Sequence, residues 1–200
     1  MRLVYVGATV SDTDQFDRFH TGNCELIGVS NSIKRPLAEI GNEWLATCPH
    51  EVFGLCHADA VFGLGALDAF AAEAMRGAVC GIVGVDLQGV YHCSYNSDRD
   101  RWWKGNMRIA EPGEVSTLDG MAVFFRRDLC LQFDAETFHG LHCHVEDLCL
   151  QAHARGIPVT VPAADAHHRN HETNQAWLRE YQAYRAKLSE KWAGTEFRTT

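Results

Sequence analysis

Residues 117–151 read TLDGMAVFFRRDLCLQFDAETFHGLHCHVEDLCLQ and are the most informative stretch of the chain. The apolar run 121–126 predicts a strand that begins behind an Asp119-Gly120 corner. The acidic pair Glu146-Asp147 opens a predicted helix at 146–155, which Gly156 ends. Acidic residues therefore lie both before and after a predicted buried strand in the sequence.

Two other segments place reactive side chains after strands. The apolar run 51–56 predicts a central strand, which is followed by His57-Ala58-Asp59. Residues 157–161 predict another strand, which leads toward His167 and His168. Open α/β sheets bind their ligands beyond the ends of such strands, so these positions are candidate site residues.

The remaining apolar runs complete an alternation of strands and helices that is typical of a largely parallel sheet. We expect further strands at 2–10, 24–30, 78–85 and 90–95. We expect further helices at 14–20, 36–47, 64–75 and 177–192. The polar segment 96–113, with Arg99, Arg101 and Lys104, predicts a long mobile loop.

Composition limits the possible classes of protein. The 200 residues are 46% hydrophobic and 22% charged, which is typical of one globular domain. The formal net charge of -8 argues against a nucleic-acid-binding protein. The N-terminal apolar run is too short for a signal peptide and no run is long enough to span a bilayer, so we expect a cytoplasmic protein without a transmembrane segment.

The chain has eight cysteines, and without a secretion signal we expect them to be reduced and buried. Five of them lie in apolar surroundings, where a thiol acts as a small hydrophobic group: Cys24, Cys56, Cys80, Cys130 and Cys149. The alternative is a structural zinc site, built from residues 142–144 or from Cys48, His50, Cys56 and His57.

Each candidate site residue also has a structural interpretation. His57 and Asp59 could hold one cation, and a carboxylate with an imidazole suits Mn²⁺ better than Mg²⁺. Alternatively, Asp59 caps a turn and His57 is only partly buried. His167 and His168 could add a ligand, although a histidine pair in a loop is usually solvated.

The acidic residues allow similar alternatives. Glu146 and Asp147 are either stabilised by the helix dipole or able to act as a general base. Asp119 either forms the turn or accepts a hydrogen bond from a sugar or acceptor hydroxyl.

Taken together in this order and spacing, these segments resemble glycosyltransferases of the GT-A fold. They are most similar to the family-2-like group that includes the glycosyltransferase-like domain of a streptomycin-biosynthesis protein family. The resemblance covers residues 2–170 and rests on VSNS at 29–32, LAE at 37–39 with Asn42, CHADA at 56–60, TLDGMAV at 117–123, FD at 133–134, FHG at 138–140, HCHVEDLCLQA at 142–152 and His167.

The resemblance implies a three-layer α/β/α, Rossmann-like domain with a mostly parallel central sheet. It would be one domain over 1–200, with a nucleotide-binding half at 1–95, an acceptor and catalytic half at 114–172, and a C-terminal helix within 173–200. A nucleotide-diphosphate-sugar donor, for which UDP is the expected nucleotide, would contact Thr9, Ser30, Asn31, Asp59 and Gly120.

The resemblance also implies a mechanism. His57, Asp59 and His167 would hold Mn²⁺ or Mg²⁺, with His168 as a rival ligand. Asp147 would be the base of an inverting transfer to an acceptor hydroxyl, with Glu146 beside it and Asp119 near the acceptor. From its composition alone, with Arg99, Arg101 and Lys104, loop 96–113 could also close over the donor. The alternative is a catalytically inactive GT-A-like domain that binds nucleotide sugars.

Overall fold

The computed structural model describes residues 1–7, 24–94, 108–168 and 175–200, apart from the side chains of His167 and His168. Three of the sequence-based expectations therefore lie outside the described residues. These are the helix at 14–20, the donor contact of Thr9, and the basic loop residues Arg99, Arg101 and Lys104.

The described chain contains thirteen strands, four α-helices and one 3₁₀ helix at Arg127–Leu129. The helices are α1 (Leu37–Ala46), α2 (Ala66–Met75), α3 (His144–His153) and α4 (Gln175–Lys191). The strands are β1 (Arg2–Gly7), β2 (Glu25–Ser30), β3 (Val52–His57), β4 (Ala60–Phe62), β5 (Val79–Gly81), β6 (Val83–Val85), β7 (Val90–Cys93), β8 (Arg108–Ala110), β9 (Gly113–Glu114), β10 (Thr117–Leu118), β11 (Ala122–Arg126), β12 (Val159–Val161) and β13 (Ala166–His168).

The central sheet has seven strands in the order β2-β1-β3-β11-β5-β12-β9. Strands β2, β1, β3, β5 and β12 run in one direction, whereas β11 and β9 run in the opposite direction. Two smaller sheets accompany it in the described residues, β10-β6-β7-β8 and β13-β4. The expected mixed α/β fold with a mostly parallel central sheet is confirmed.

Helices cover both faces of the central sheet and make three layers. Residues of α1 and α3, including Ile40 and Leu148, pack with Phe125 on one face. Residues of α2, including Phe70, pack with Phe124 on the other. Consecutive residues of a strand point to opposite faces, so β11 supplies one fully buried phenylalanine to each core. Burying such a ring contributes about 1.5–3 kcal/mol.

Most predicted elements are present, with boundaries shifted by a few residues. One prediction was wrong, because the apolar run 78–85 is two strands in different sheets. Strand β5 pairs with β11 in the central sheet, whereas β6 pairs with β7 and β10. Apart from Gly81 and Gly84 the run is continuously apolar, and its sequence does not specify which distant strands pair with each part.

The expected loop at 96–113 also needs correction in its described part, which contains β8 and β9. Helix α3 begins at His144, two residues before the predicted start. No helix among the described residues is long and apolar enough to cross a membrane.

All eight cysteines are described, and none forms a disulfide. Cys56, Cys80 and Cys149 are buried as expected, whereas Cys130 is exposed and Cys24 is only partly buried. Cys130 follows the 3₁₀ helix in a left-handed turn with a φ of 52°, which lies at the surface.

Candidate functional site

A cleft of about 740 Å³ opens at the carboxyl ends of β1, β2 and β3. On the sheet side it is lined by Gly7, Asn31 and the segment from His57 to Asp59. The opposite wall consists of residues 139–141 together with two side chains of α4. Its volume lies within the range of small-molecule sites, which is roughly 300–1,000 Å³.

His57 and Asp59 both line this cleft and are half-buried. Backbone hydrogen bonds hold the segment at the sheet edge. The His57 N–H donates to the Met121 carbonyl at 2.9 Å, and the Ala58 N–H donates to the Val6 carbonyl at 3.0 Å. The carboxylate and the imidazole therefore share one cavity on a rigid strand end.

Strand β13 brings the second histidine pair to the same edge. It runs antiparallel to β4, with His168 opposite Ala60 and His167 opposite Val61. Since β4 starts directly after Asp59, the backbone of this pair lies beside the His57–Asp59 segment. A set of one carboxylate and imidazoles would suit Mn²⁺.

Among the side chains that the structure describes, no group of three or more His, Cys, Asp or Glu could hold a metal ion. The two zinc sites considered from sequence, residues 142–144 and the set Cys48, His50, Cys56 and His57, consist of described side chains. Neither is assembled. A complete metal site at the cleft would therefore need a ligand beyond the described side chains.

Asn31 organises the sheet-side wall of the cleft. Its amide oxygen accepts from the Arg35 N–H at 2.7 Å, and its amide nitrogen donates to the Arg35 carbonyl at 2.8 Å. Its own N–H donates to the Gly7 carbonyl at 2.7 Å. These bonds fix the turn that carries Lys34 and Arg35 into the cleft. Ser30, by contrast, is the exposed end of β2 and does not line the cleft.

The first turn of α3 contains three polar side chains that are almost completely buried: His144, Glu146 and Asp147. Asp147 is paired on both oxygens. Its Oδ1 accepts from Trp192 Nε1 at 2.7 Å and lies 2.8 Å from Lys191 Nζ, and its Oδ2 accepts from Gln151 Nε2 at 2.8 Å. Asp147 does not line the cleft.

Glu146 and His144 are less fully paired among the described residues. Glu146 Oε2 and both ring nitrogens of His144 accept or donate no hydrogen bond there. Burial, aided by the charges of Asp119 and Asp147, raises the pKa of Glu146 to about 8. Burial, with His57 and His142 nearby, lowers the pKa of His144 to about 3. Both side chains are therefore mostly neutral near pH 7.

Asp119 and Gly120 form the corner that faces this buried pair. Asp119 Oδ1 accepts from the Met121 N–H at 2.9 Å, which is the turn-forming interpretation of its role. A Cβ atom added at Gly120 would lie 3.6 Å from Cε1 of His144, so the corner packs against that ring. Neither residue lines the cleft.

Sequence reasoning missed the opposite wall of the cleft. It placed Glu180 and Tyr184 only within the expected helix at 177–192, yet both line the cavity. It quoted His139 in the FHG motif without giving it a role, and it did not single out Lys34. The helical spacing of the C-terminal segment could have indicated that α4 packs on the domain, but not which part it contacts.

No protein-family model and no curated protein sequence matches this chain. Among solved structures it is similar to GalNAc-T7 with UDP, GalNAc and Mn²⁺, with a TM-score of 0.58 and 9% identity over 98% of this chain. The chain spans about half (48%) of that protein. A197 from STIV is similar with a TM-score of 0.48 and 16% identity, over 85% of this chain and 86% of its own.

GalNAc-T7 is a GT-A glycosyltransferase, and the likeness shows that this chain has a GT-A-like fold. At 9% identity it shows the fold alone. The finer resemblance to the streptomycin-biosynthesis family stays a prediction, as do the functional roles of the site residues.

Proposed function

We propose that this chain is a metal-dependent glycosyltransferase that moves a sugar from a nucleotide-diphosphate sugar to an acceptor hydroxyl with inversion. The observation that carries the proposal is the shared position of His57 and Asp59 on the cleft, beside the paired backbone of β13. The GT-A-like fold supports this interpretation, because the structurally similar GalNAc-T7 holds UDP and Mn²⁺.

The donor would bind in the part of the cleft formed by residues 1–95. Asn31 holds Lys34 and Arg35 at its edge, which supplies positive charge in a chain whose formal net charge is -8. Arg35 also forms a 2.6 Å ion pair with Glu43, so Lys34 is the stronger candidate for an anionic donor. UDP is the nucleotide that we would test first.

His57 and Asp59, with His167 or His168, would hold Mn²⁺ or Mg²⁺. The bound ion would act as a Lewis acid toward the departing diphosphate. The imidazole ligands favour Mn²⁺ over Mg²⁺, which prefers oxygen ligands. The rigid strand end would keep the carboxylate and the imidazole in place while the donor binds.

The acceptor side would belong to residues 114–172, and there the two adjacent acids differ. The resemblance assigns the base to Asp147, whose two oxygens are already paired. Glu146 has an oxygen without a partner among the described residues, and burial raises its pKa to about 8. Neither acid lines the cleft, so a base role requires an acceptor that reaches the first turn of α3. Of the two, Glu146 keeps an oxygen for the proton, and on that condition we assign proton acceptance to Glu146. Asp119 adds negative charge beside it.

Titration calorimetry with UDP, with and without Mn²⁺, tests the donor site. We expect binding that requires Mn²⁺, and a loss of at least tenfold in affinity in Asp59→Asn. Asp68→Asn, an exposed acid on α2, is the matched control and should bind as the wild type does. Metal-independent binding, or equal binding by Asp59→Asn, would contradict the proposal.

A second measurement separates transfer from simple binding. UDP-sugars are incubated with Mn²⁺ and a panel of hydroxyl acceptors, and released UDP is measured. Glu146→Gln should lower turnover by about 10²-fold or more if the residue is the base. Tight donor binding without any UDP release would instead favour an inactive nucleotide-sugar-binding domain.

A further inference from the structure

We propose that Asp147 is a positioning residue which, through Lys191, fixes α4 against residues 134–141 and so builds one wall of the cleft. The proposal depends on the proposed function only in that the cleft is taken to be the substrate site. It gives Asp147 a different role from the base implied by the family resemblance.

The first observation is the pairing of Asp147 with the end of α4. Its side chain is 0% exposed, and both of its oxygens accept hydrogen bonds. Two of its three partners, Lys191 and Trp192, lie at the C-terminal end of α4 or directly after it. A buried carboxylate held in this way connects α3 to α4, and it does not line the cleft in which an acceptor would bind.

The second observation is that Lys191 also holds the loop that precedes α3. Its Nζ donates to Asp134 Oδ2 at 2.8 Å and lies 5.6 Å from the centre of the Phe138 ring. Asp134 Oδ1 in turn accepts from the backbone N–H groups of Glu136 and Thr137 at 3.1 and 2.9 Å. One lysine therefore links α3, α4 and the turn at 134–138.

The third observation is that these linked segments form the wall. Residues 139–141 and the α4 side chains of Glu180 and Tyr184 line the cleft together. Their contact is tight at Gly140, where an added Cβ would lie 2.6 Å from the Tyr184 ring and 2.8 Å from Glu180 Oε1. Such an approach requires that α4 and the loop keep a fixed separation.

The charges in the linkage also depend on one another. Two carboxylates share one ammonium group in a largely buried cluster, so loss of Lys191 would leave two negative charges facing each other. The pKa values agree with this arrangement. Burial opposes ionisation of Asp134, but its bonds to Lys191 and Thr137 outweigh this effect and lower its pKa to about 2. The same carboxylates raise the pKa of Lys191 against the effect of burial.

Hydrogen exchange on the 200-residue chain tests the proposal with a readout that does not need activity. We compare Lys191→Met and Asp147→Asn with the wild type. Lys191 is 33% exposed, so its replacement should still fold. We expect exchange to rise by about tenfold or more in α4 and in residues 134–141 together, with β1 and β3 unchanged. Arg179→Met, an exposed cation elsewhere on α4, is the matched control and should exchange as the wild type does.

Calorimetry on the same variants gives the second readout. Lys191→Met and Asp147→Asn should weaken binding of UDP with Mn²⁺ by similar factors, and the double variant should lose no more than either single variant. Asp147→Asn with wild-type exchange but no turnover, beside an active Lys191→Met, would overturn the proposal. Raised exchange in the two variants, together with a wild-type chain that binds no nucleotide, would refute the proposed function and leave the proposed role of Asp147 standing.

Discussion

The strand ends beneath the cleft and the first turn of α3 carry the same types of side chain in different surroundings. His57 and Asp59 are half-buried and line an open cavity. His144 and Glu146 are almost completely buried and do not line it. Residue type therefore does not distinguish side chains that line the cleft from side chains that are buried beside it. The exposure of each side chain does.

The largest expected change in stability is that of Glu146→Gln, in the buried first turn of α3. The folded-state pKa of Glu146, about 8, lies above its ordinary value of 4.5. The folded protein thus keeps a proton that the unfolded chain releases, and wild-type stability falls as pH rises from about 4.5 to about 8. Relative to the wild type, the variant should gain about 3 kcal/mol of unfolding free energy between pH 5 and pH 8.

Urea unfolding at several pH values measures this difference. Exposed Glu136→Gln provides the control, and its stability should follow that of the wild type at every pH. A Glu146→Gln variant whose stability runs parallel to the wild type from pH 5 to pH 8 would mean that Glu146 ionises as freely as an exposed acid. The contrast between the two regions would then disappear.

The second largest change in stability is expected for Gly140→Ala, in the cleft wall made by residues 139–141 and α4. An added Cβ would lie 2.6 Å from the buried Tyr184 ring, so the ring or α4 must move. We expect a loss of about 2 kcal/mol in unfolding free energy. Gly120→Ala is the control, because its Cβ would sit at an ordinary 3.6 Å from His144 and should change stability by less than about 0.5 kcal/mol. Equal losses in the two variants would argue against a tight wall.

A smaller effect is expected at the cleft edge, through Asn31→Ala. The substitution removes two side-chain hydrogen bonds to the Arg35 backbone, whose groups can then bind water. We expect the free energy of unfolding, measured by heat or urea, to fall by about 1 kcal/mol. Exposed Ser32→Ala in the same turn should have no measurable effect. If Ser32→Ala lowers the free energy of unfolding as much as Asn31→Ala does, the stability depends on any substitution in this turn and not on the Asn31 amide.

The smallest effect on stability is expected for Asp59→Asn. Its carboxylate lies half-exposed in the cleft. The free energy of unfolding measured without metal should therefore change by less than about 0.5 kcal/mol. Stabilisation by Mn²⁺, measured as a shift in Tm, should be lost at the same time. A large loss of stability without metal would show that Asp59 stabilises the fold as the buried side chains of α3 do. The cleft and the first turn of α3 would then not differ in this respect.

Local signals in the sequence predicted the fold well. Apolar runs gave β1, β3 and β11, and Pro36 with helical spacing gave α1, because each of these elements is encoded within a few neighbouring residues. The position of His57 and Asp59 on the cleft follows in the same way from one strand end.

The surroundings of α3 could not be predicted in this way. Acidic residues at a helix start usually face water, and the sequence near Asp147 contains nothing that argues otherwise. Its partners Lys191 and Trp192 lie more than forty residues later, on a helix whose docking site no local pattern specifies. The division of 78–85 into two strands likewise depends on which distant strands pair with each part.

The place of β11 in the sheet has a consequence for biosynthesis. It lies between β3 and β5 and hydrogen-bonds to both, although residues 122–126 follow those strands by about forty residues or more. A chain emerging from the ribosome would therefore leave one edge of β3 and both edges of β5 unpaired until β11 is made. Such long-range pairing folds slowly. We expect newly made chains truncated before β11 to aggregate or to recruit chaperones, and we expect both tendencies to fall once β11 pairs with β3 and β5.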